Sequence, residues 1–403
     1  MSKTTISVVT DPEEFEPLAP VWNNLLEKCC DESTMYLTHE WLATRWRHFG
    51  EGQRLNLLLV EREGQVIGIM PLVRNEYRLG PFKLDVLESI GGTSRNYVGL
   101  MLPEDRQEVI SALLDYLKQN LHGVGLILRL SLIPGDSHFL SVLKRGLASV
   151  SEDLAFEERF KTLAPYIDLP VSWDEYFGSL SGKRRRTLGR MLRKLEKGHG
   201  AVSFQQCDAD SLEAGLSQFF DLHQERWQAV GISGSFADPR VKEFYREVAW
   251  KFLNRGWLYF SSMSVAGRLV SAKYGCILNR KMYFITSGRD IRYSEYNVGH
   301  LHMMHVIKDA VNRNLSEFDF LQGDEPYKFY WTKSARRYVW VTIIKRGFLP
   351  ALRLQLLRAF LRLWDVRQYS LREIWAILSI RRRERKEHKQ MGLLEQLEKL
   401  RRG

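Results

Sequence analysis

The 403-residue sequence predicts a mixed α/β (α+β) protein with two domains and a basic helical tail. The length allows two domains of ordinary size, and a composition of 44% hydrophobic and 27% charged residues is typical of globular chains. Short runs of branched and aromatic residues alternate with segments of helical period in both halves. We place the domains at residues 1–168 and 169–347 and the tail at residues 348–403.

The most regular pattern lies at residues 257–345. Runs rich in aromatic and branched residues are separated by turn formers, which predicts adjacent strands. A polar segment ending in the letters NVG then opens into a helix, and another strand and a polar loop follow. The pattern places strands at 257–265, 269–278, 282–288 and 318–323 and a helix at 300–314.

The loop before this helix predicts a site for a phosphate or a diphosphate. The first turn of a helix presents free backbone N–H groups and the positive end of the helix dipole. Gly299 lets the backbone come close to an anion, and Arg289 and Arg292 add positive charge from the loop. Many strand-to-helix junctions bind nothing, so the loop alone is a moderate signal.

The first half of the chain predicts its own strands and helices. We expect a strand at 6–9, a helix at 13–28, a helix capped by Thr38, and a hairpin that turns at Glu63 and Gly64. Trp41, Trp46 and Phe49 follow the helical spacing, and the usual burial of aromatic rings favours the core over an acceptor groove. No glycine-ended loop between a strand and a helix appears in this half, so we expect a structural or acceptor-binding role for it.

At residues 318–332, the run FDFLQGDEPYKFYWT resembles the CelD/BcsL branch of the GNAT acyltransferases, as do the order of elements and the NVG loop. Those proteins are similar to the FemABX transferases in having two GNAT-like domains in tandem. The resemblance extends from about Tyr36 to Lys345, and its most specific part is Gly323 to Lys328. Gln322 departs from the family, which usually has a basic residue there, so acceptor contacts are expected to differ.

The resemblance implies two tandem GNAT-like domains, each a mixed, mainly antiparallel sheet flanked by helices. It also implies acyl transfer from acetyl-CoA, or another acyl-CoA, to an amine, often on an amino sugar or another precursor of the cell envelope or an exopolysaccharide. The reaction must polarise the thioester carbonyl, take a proton from the amine and return one to the sulfur. No metal is required by this chemistry.

Four residues are the catalytic candidates. Asp324 is the expected base or anchor of the acceptor amine, with Glu325 second. Tyr327 is placed to protonate the sulfur, and Lys328 to stabilise the oxyanion or hold a phosphate. The structural alternative is that Asp324 caps a turn and pairs with Lys328.

The resemblance also implies binding residues. For the acyl-CoA these are Phe284, Ile285, Thr286, Arg292, Asn297, Val298, Gly299 and His300. For the acceptor they are Arg226, Trp227, Tyr97 and Arg185. An ordinary salt bridge is the alternative for Arg226, and a surface loop is the alternative for Tyr97.

The formal charge of +11 is concentrated in two places. A basic arm at residues 183–197 fits either an anionic substrate or a solvated helix face, and its lack of interleaved aromatic residues disfavours nucleic acid. The tail has 14 Lys and Arg against 6 Asp and Glu. It fits peripheral contact with an anionic inner-membrane surface, binding of an anionic nucleotide, or packing back onto a domain.

Other function classes have weaker support. His302, His305 and Asp309 have metal-ligand spacing, but a helix surface lining the cleft is the simpler interpretation. The sequence has no GxSxG motif of a serine hydrolase. The cysteine spacing and the polar N-terminal segment lead us to expect a cytoplasmic protein.

The sequence therefore predicts a cytoplasmic acyl-CoA-dependent N-acyltransferase, whose acceptor is an amino sugar or a lipid-linked saccharide. One alternative is an aminoacyl-tRNA-dependent transferase of the FemABX type. Another is a non-catalytic GNAT scaffold that senses an anionic ligand through its basic tail.

Overall fold

A computed structural model describes residues 4–29, 34–79, 82–90, 99–120, 126–347, 351–352, 354–359 and 371–402. The chain divides into two compact units, and both are discontinuous in sequence. The first contains Met1–Leu163, Arg336–Ser370 and Lys399–Gly403. The second contains Ala164–Ala335 and Leu371–Glu398.

Strands and helices alternate along both units. The strands are β1 (Thr4–Val9), β2 (Arg54–Arg62), β3 (Gln65–Leu79), β4 (Phe82–Ser89), β5 (Leu100–Met101), β6 (Leu126–Pro134), β7 (Leu154–Asp168), β8 (Val202–Gln206), β9 (Leu258–Val265), β10 (Arg268–Leu278), β11 (Lys281–Arg289), β12 (Glu317–Asp319) and β13 (Ala335–Lys345). The helices are α1 (Ala19–Lys28), α2 (His39–Phe49), α3 (Arg106–Asn120), α4 (His138–Ser149), α5 (Trp173–Ser179), α6 (Gly182–His199), α7 (Ala209–Gln228), α8 (Pro239–Asn254), α9 (Val298–Asn312), α10 (Pro326–Phe329), α11 (Leu371–Gln390) and α12 (Leu394–Arg402).

The first unit is built on a sheet in the order β1, β2, β3, β4, β6, β13. The β4–β6 pair is parallel, whereas the other neighbours in this order are antiparallel. The predicted hairpin is confirmed as β2 and β3, with Glu63 (φ 53°) and Gly64 (φ 78°) in its turn. Successive residues of positive φ match the right-handed twist of the paired strands.

The helices of the first unit follow the expected caps, with one difference. The Thr38 hydroxyl accepts a hydrogen bond from the Trp41 backbone N–H, and the Trp41 side chain is buried in the core, as predicted, whereas Trp46 and Phe49 are only half-buried. The single helix predicted at 13–28 is wrong. Two short 3-10 turns precede α1, because Pro17 and Pro20 have no backbone N–H to donate.

The second unit has a sheet in the order β7, β12, β11, β10, β9, β8, with a parallel pair between β11 and β12. Adjacent residues on a strand point to opposite faces. On one face the Ser271 hydroxyl contacts His302 of α9, and on the other the Tyr274 hydroxyl donates to the Tyr245 carbonyl of α8. The strands predicted at 257–288 and the helix predicted at 300–314 are confirmed within two residues.

Two irregularities mark the centre of this sheet. Tyr274 pairs with Thr286 and Gly275 with Phe284, so Ile285 is an extra residue that forms a β-bulge in β11. The strand predicted at 318–323 ends early, at Asp319. The chain turns there because the Asp319 carboxylate accepts the Leu321 N–H at 2.7 Å and Leu321 has a left-handed φ of 59°.

Described parts of the predicted tail belong to both compact units. Leu354 and Leu357 are buried with Leu84 and Val86 in the first unit. Helix α11 belongs to the second unit, where the Ser233 hydroxyl donates to Glu373 at 2.6 Å. No helix in the described part of the chain is long and apolar enough to cross a membrane.

Gly288 allows α7 to lie close against β11. A Cβ atom at this position would come within 2.8 Å of the Phe219 carbonyl oxygen and 2.9 Å of the Leu222 Cβ. Both neighbours belong to α7, so a larger residue at position 288 would push this helix away from the strand.

We expect Gly288→Ala to lower the free energy of unfolding by about 1–3 kcal/mol, the usual cost of overpacking a core. Chemical denaturation would measure it. Gly178→Ala is the matched control, because no described atom lies within 4 Å of its Cβ position. Gly178 lies inside α5, so its replacement should be neutral or stabilising by about 0.5–1 kcal/mol. Equal effects of the two substitutions would contradict the close approach of α7.

Candidate functional site

Strand β11 loses its neighbour midway along its length. Its register with β12 covers Lys281 to Tyr283 and stops where β12 ends at Asp319. β11 itself continues to Arg289, so the edge of Phe284, Ile285 and Thr286 that faces away from β10 has no strand partner among the described residues. These three residues are among those that the resemblance assigns to acyl-CoA binding.

The start of α9 supplies the second part of the site. Asn297 has a left-handed φ of 51°, and its side-chain amide donates to the Met191 sulfur at 3.2 Å instead of capping the helix. Val298 is buried. A Cβ atom at Gly299 would meet the Arg289 side chain at 3.5 Å, which is ordinary contact. The first amides of α9 thus lie beside an arginine, as expected.

Arg292, the other predicted loop cation, is already paired. Its guanidinium donates to both carboxylate oxygens of Asp290, with Nε–Oδ1 at 2.8 Å and an Nη–Oδ2 distance of 2.6 Å. Burial acts to raise the pKa of Asp290, but Arg292 outweighs it and the pKa lies below its ordinary value. Arg292 therefore fixes the loop, and Arg289 is the loop arginine that contacts the glycine at the start of α9.

Lys328 holds the loop that follows β12. Its side chain is buried, and its ammonium group donates to the carbonyl oxygens of Leu321, Gln322 and Gly323 at 3.3, 2.6 and 3.3 Å. It also forms an ion pair with Glu325 at 3.0 Å. All these acceptors belong to the chain itself, so the geometry supports a structural role for Lys328 more than the predicted oxyanion contact.

Arg226, Glu325 and Tyr327 come together, although about 100 residues separate the arginine from the other two. Burial, and then the Glu325 carboxylate, raises the pKa of the Tyr327 phenol well above its ordinary value. Burial lowers the pKa of Arg226, and Tyr327 and Glu325 partly oppose it. Trp227 lies beside them, with the Arg226 guanidinium 5.1 Å from its ring centre.

The basic arm forms α6 and contributes Arg184 instead of the predicted Arg185. Arg185 is exposed, whereas the Arg184 guanidinium lies 4.9 Å from the centre of the Tyr330 ring. Tyr330 in turn packs on His300, with ring centres 4.4 Å apart. Burial, followed by Lys273, Arg289 and Arg184, lowers the pKa of His300 to about 4. Tyr97 lies outside the described residues.

Lys273 was not identified from the sequence. It lies in β10 with 4% of its surface exposed, and its ammonium group is 5.1 Å from the centre of the Phe284 ring. Burial, then Arg289 and Arg226, lowers its pKa to about 7. A single lysine inside an apolar run of a predicted central strand is the signal that could have identified it.

His302 does not line a cleft, so that prediction is wrong. Its ring is fully buried, and its Nε2 and Nδ1 each lie 3.0 Å from a hydroxyl, those of Ser261 and Ser271. The serines of β9 and β10 satisfy the imidazole, which lets α9 bury this face as well as its methionine face. His305 stacks on Phe204 with ring centres 4.0 Å apart. Among the described residues no group of three or more His, Cys, Asp and Glu side chains could hold a metal ion.

Helix α11 lies against the loop after β12. His388 is buried with its ring centre 6.1 Å from that of Phe329. Burial, then Glu325 and Asp324, raises the pKa of the Glu384 carboxyl. The predicted tail thus supplies side chains next to two of the catalytic candidates.

The pKa of Lys273 predicts a pH dependence of stability. Between about pH 7 and 9 the unfolded chain keeps the ammonium proton, because a free lysine has a pKa near 10.4, whereas the folded protein releases it. The unfolded state then binds more protons, so raising the pH favours folding, by up to about 1.4 kcal/mol per pH unit. We expect the free energy of unfolding of the unmodified protein, relative to Lys273→Met, to rise over this range in denaturation series. A constant difference would contradict the shifted pKa.

Residues 182–329 match the family model described as an acetyltransferase (GNAT) domain. No curated protein matches the sequence at a significant level. Among solved structures, FemX is similar with 11% identity over 84% of this chain and 96% of that chain, at a TM-score of 0.58. A conserved protein of unknown function from Bacteroides thetaiotaomicron has 10% identity over 84% of this chain and 100% of that one, at a TM-score of 0.51.

A tandem GNAT protein from the clavulanic acid biosynthesis pathway has 11% identity over 86% of this chain and 99% of that chain, with a TM-score of 0.42. At these identities a structural likeness speaks for the fold alone. The narrower resemblance to the CelD/BcsL branch stays a prediction. The chain therefore has a mixed α/β fold that is similar to the fold of FemX, and its residues 182–329 match the model of a GNAT acetyltransferase domain.

Proposed function

We propose that the second unit is an acyl-CoA-dependent N-acyltransferase. The observation that carries this proposal is the open edge of β11 beside the start of α9, inside the segment that matches the GNAT domain. An open strand edge can hold an extended thioester arm by backbone hydrogen bonds. The adjacent helix start can hold a diphosphate.

The residues at the start of α9 are suited to binding an acyl-CoA donor. The amides at Val298 and Gly299 begin a helix that has no side-chain cap, and Gly299 has no side chain to keep an anion away from them. The Nε–H of Arg289 is buried and has no hydrogen-bond partner within the described part of the chain. An unsatisfied buried donor of this kind is unfavourable unless a ligand accepts from it.

The loop after β12 fits the acceptor half of the reaction. Asp324 or Glu325 takes a proton from the acceptor ammonium, so that the neutral amine can attack the thioester carbon. A C–N bond then forms and the C–S bond breaks. Tyr327 carries its phenol proton at neutral pH and is the proposed donor of a proton to the leaving sulfur, and its raised pKa makes it a weaker acid than an exposed tyrosine. Lys328 keeps the loop in shape by binding its carbonyl groups.

We further propose that the acceptor is an amino sugar or a lipid-linked saccharide of an envelope or exopolysaccharide pathway. The support is the likeness of Gly323 to Lys328 to the CelD/BcsL branch. We propose a cytoplasmic location, with Arg381, Arg382, Arg383 and Arg385 on the exposed side of α11 available to an anionic membrane surface.

Calorimetric titration with acetyl-CoA tests donor binding directly. We expect the unmodified protein and Gly299→Ala to bind it, since a methyl group at residue 299 meets Arg289 only at 3.5 Å. Gly299→Glu should bind at least tenfold more weakly, because its carboxylate repels the diphosphate and pairs with Arg289. Loss of binding in both variants would mean that the size of the side chain at position 299, and not its charge, weakens acetyl-CoA binding.

If the unmodified protein binds no short acyl-CoA, this proposal fails. The FemABX-type transfer from an aminoacyl-tRNA would then be tested with charged tRNA. A scaffold that senses a ligand would instead lose function on substitution of the α11 arginines while Asp324→Ala keeps it.

Substitution of the proton-transfer candidates should separate binding from chemistry. We expect Asp324→Asn and Tyr327→Phe to lower kcat by roughly 10²–10⁴-fold, the usual contribution of general acid–base groups. Their Kd for acetyl-CoA should stay within a factor of about two. Release of free thiol with an amino-sugar acceptor measures the rate, and Lys308→Gln, on the exposed side of α9, is the control. Unchanged rates in both variants would exclude these roles.

A further inference from the structure

Three basic side chains of the second unit lie near one another, of which Lys273 is buried and Arg226 and Arg289 are half-buried. Lys273 is almost fully buried, and both Arg226 and Arg289 lie close enough to lower its pKa. Arg226 also lowers the pKa of Arg289. The three cations come from α7, β10 and the end of β11, so the fold itself brings them together.

These cations lack an acidic partner. Within the described residues, none of the three forms an ion pair with a carboxylate. Glu325 acts on Arg226 through space, but its own ion pair is with Lys328 at 3.0 Å. A buried amine without an acidic partner loses its proton more easily, because removing an ion from water without a partner costs several kcal/mol, and a bound anion would reverse this effect.

Neighbouring polar atoms also lack partners. The Nε–H of Arg289, the Nε1–H of Trp331 and the Nδ1 of His300 are buried without a hydrogen-bond partner in the described structure. The His300 and Trp331 rings are neighbours, with centres 5.8 Å apart. The nitrogen atoms of Arg289 and Trp331 carry a hydrogen and can only donate. A region with surplus positive charge and surplus donors is complementary to an anion.

We propose that Lys273, Arg226 and Arg289 bind a carboxylate or phosphate group of a reactant. This inference rests on the proposed function, because it places the group at the opening of β11. The reactant is then acidic: either the acceptor amine carries the anionic group, or the acyl group of the donor ends in a carboxylate.

Arg289 borders both this site and the diphosphate site at the start of α9, and Lys273 and Arg226 distinguish the two sites. Its ammonium group lies over Phe284, the first residue of the open edge of β11. That edge is where the thioester carbonyl is expected. The Arg226 side chain lies near Tyr327 and Glu325, which are expected to act on the acceptor amine. The anionic group therefore lies next to the reacting atoms and gives specificity for acidic reactants.

Anion binding can be measured without any reaction. Inorganic phosphate and succinate should each raise the Tm of the full chain, because a ligand that binds only the folded state stabilises it. The increase should disappear in Lys273→Met and in Arg226→Gln. Lys308→Met, which removes an exposed lysine of α9, is the matched control and should keep it. If Lys273→Met does not fold, Arg226→Gln carries the test.

Paired reactants then identify the source of the anionic group. Succinyl-CoA is compared with acetyl-CoA as donor, and glucosamine 6-phosphate with glucosamine as acceptor. We expect one acidic member to have a kcat/KM at least tenfold above its neutral counterpart. The ratio of these two kcat/KM values should fall to about one in Lys273→Met and in Arg226→Gln. It should be unchanged in Lys308→Met.

Equal use of the acidic and neutral reactants, or a preference that both variants retain, would overturn the inference. So would a Tm increase by phosphate that both variants retain. These results differ from failure of the proposed function. In that case the protein binds no acyl-CoA, whereas the Tm increase and its loss in the variants remain.

Discussion

The geometry of the candidate site depends on the contact between Lys328 and three consecutive carbonyl groups. Leu321 and Gly323 both have positive φ, so the chain between them turns sharply and its carbonyl oxygens point to one side. The buried ammonium group binds all three oxygens and so stabilises this turn. Because the chain leaves the sheet at this turn, β12 stays short and the edge of β11 stays open. Glu325 and Tyr327 follow directly and are therefore placed at that opening.

A second constraint is the close packing of α7 on β11. Gly288 leaves no side chain between the helix and the strand, and the last turn of α7 carries Arg226 to the opening. The helix therefore adds a cation to a region that already contains Lys273 and Arg289. Such an arrangement stores electrostatic free energy, which the binding of a negatively charged group can release. The close packing of α7 on β11 thus determines where the Arg226 charge lies.

The sequence allowed prediction of the regular elements of the second unit, but not of the open edge of β11. Alternating patterns and turn formers identify β9, β10, β11 and α9 well, because these elements are long and their periods differ. The end of β12 was not predictable, since it depends on left-handed residues such as Leu321, which has no glycine-like signal. Lys273 and Arg184 were missed for a related reason. The direction of one side chain among several cations depends on tertiary packing, and one-residue differences such as Arg184 against Arg185 follow from the rotation of a helix.

The membership of α11 in the second unit affects how the chain can fold during synthesis. This helix places His388 against Phe329 and Glu384 near Asp324, yet the residues from Arg336 to Ser370 that connect it belong to the first unit. A ribosome must therefore translate nearly the whole chain before the second unit has all of its parts. Until then, the segment with the catalytic candidates lacks the contact between Phe329 and His388.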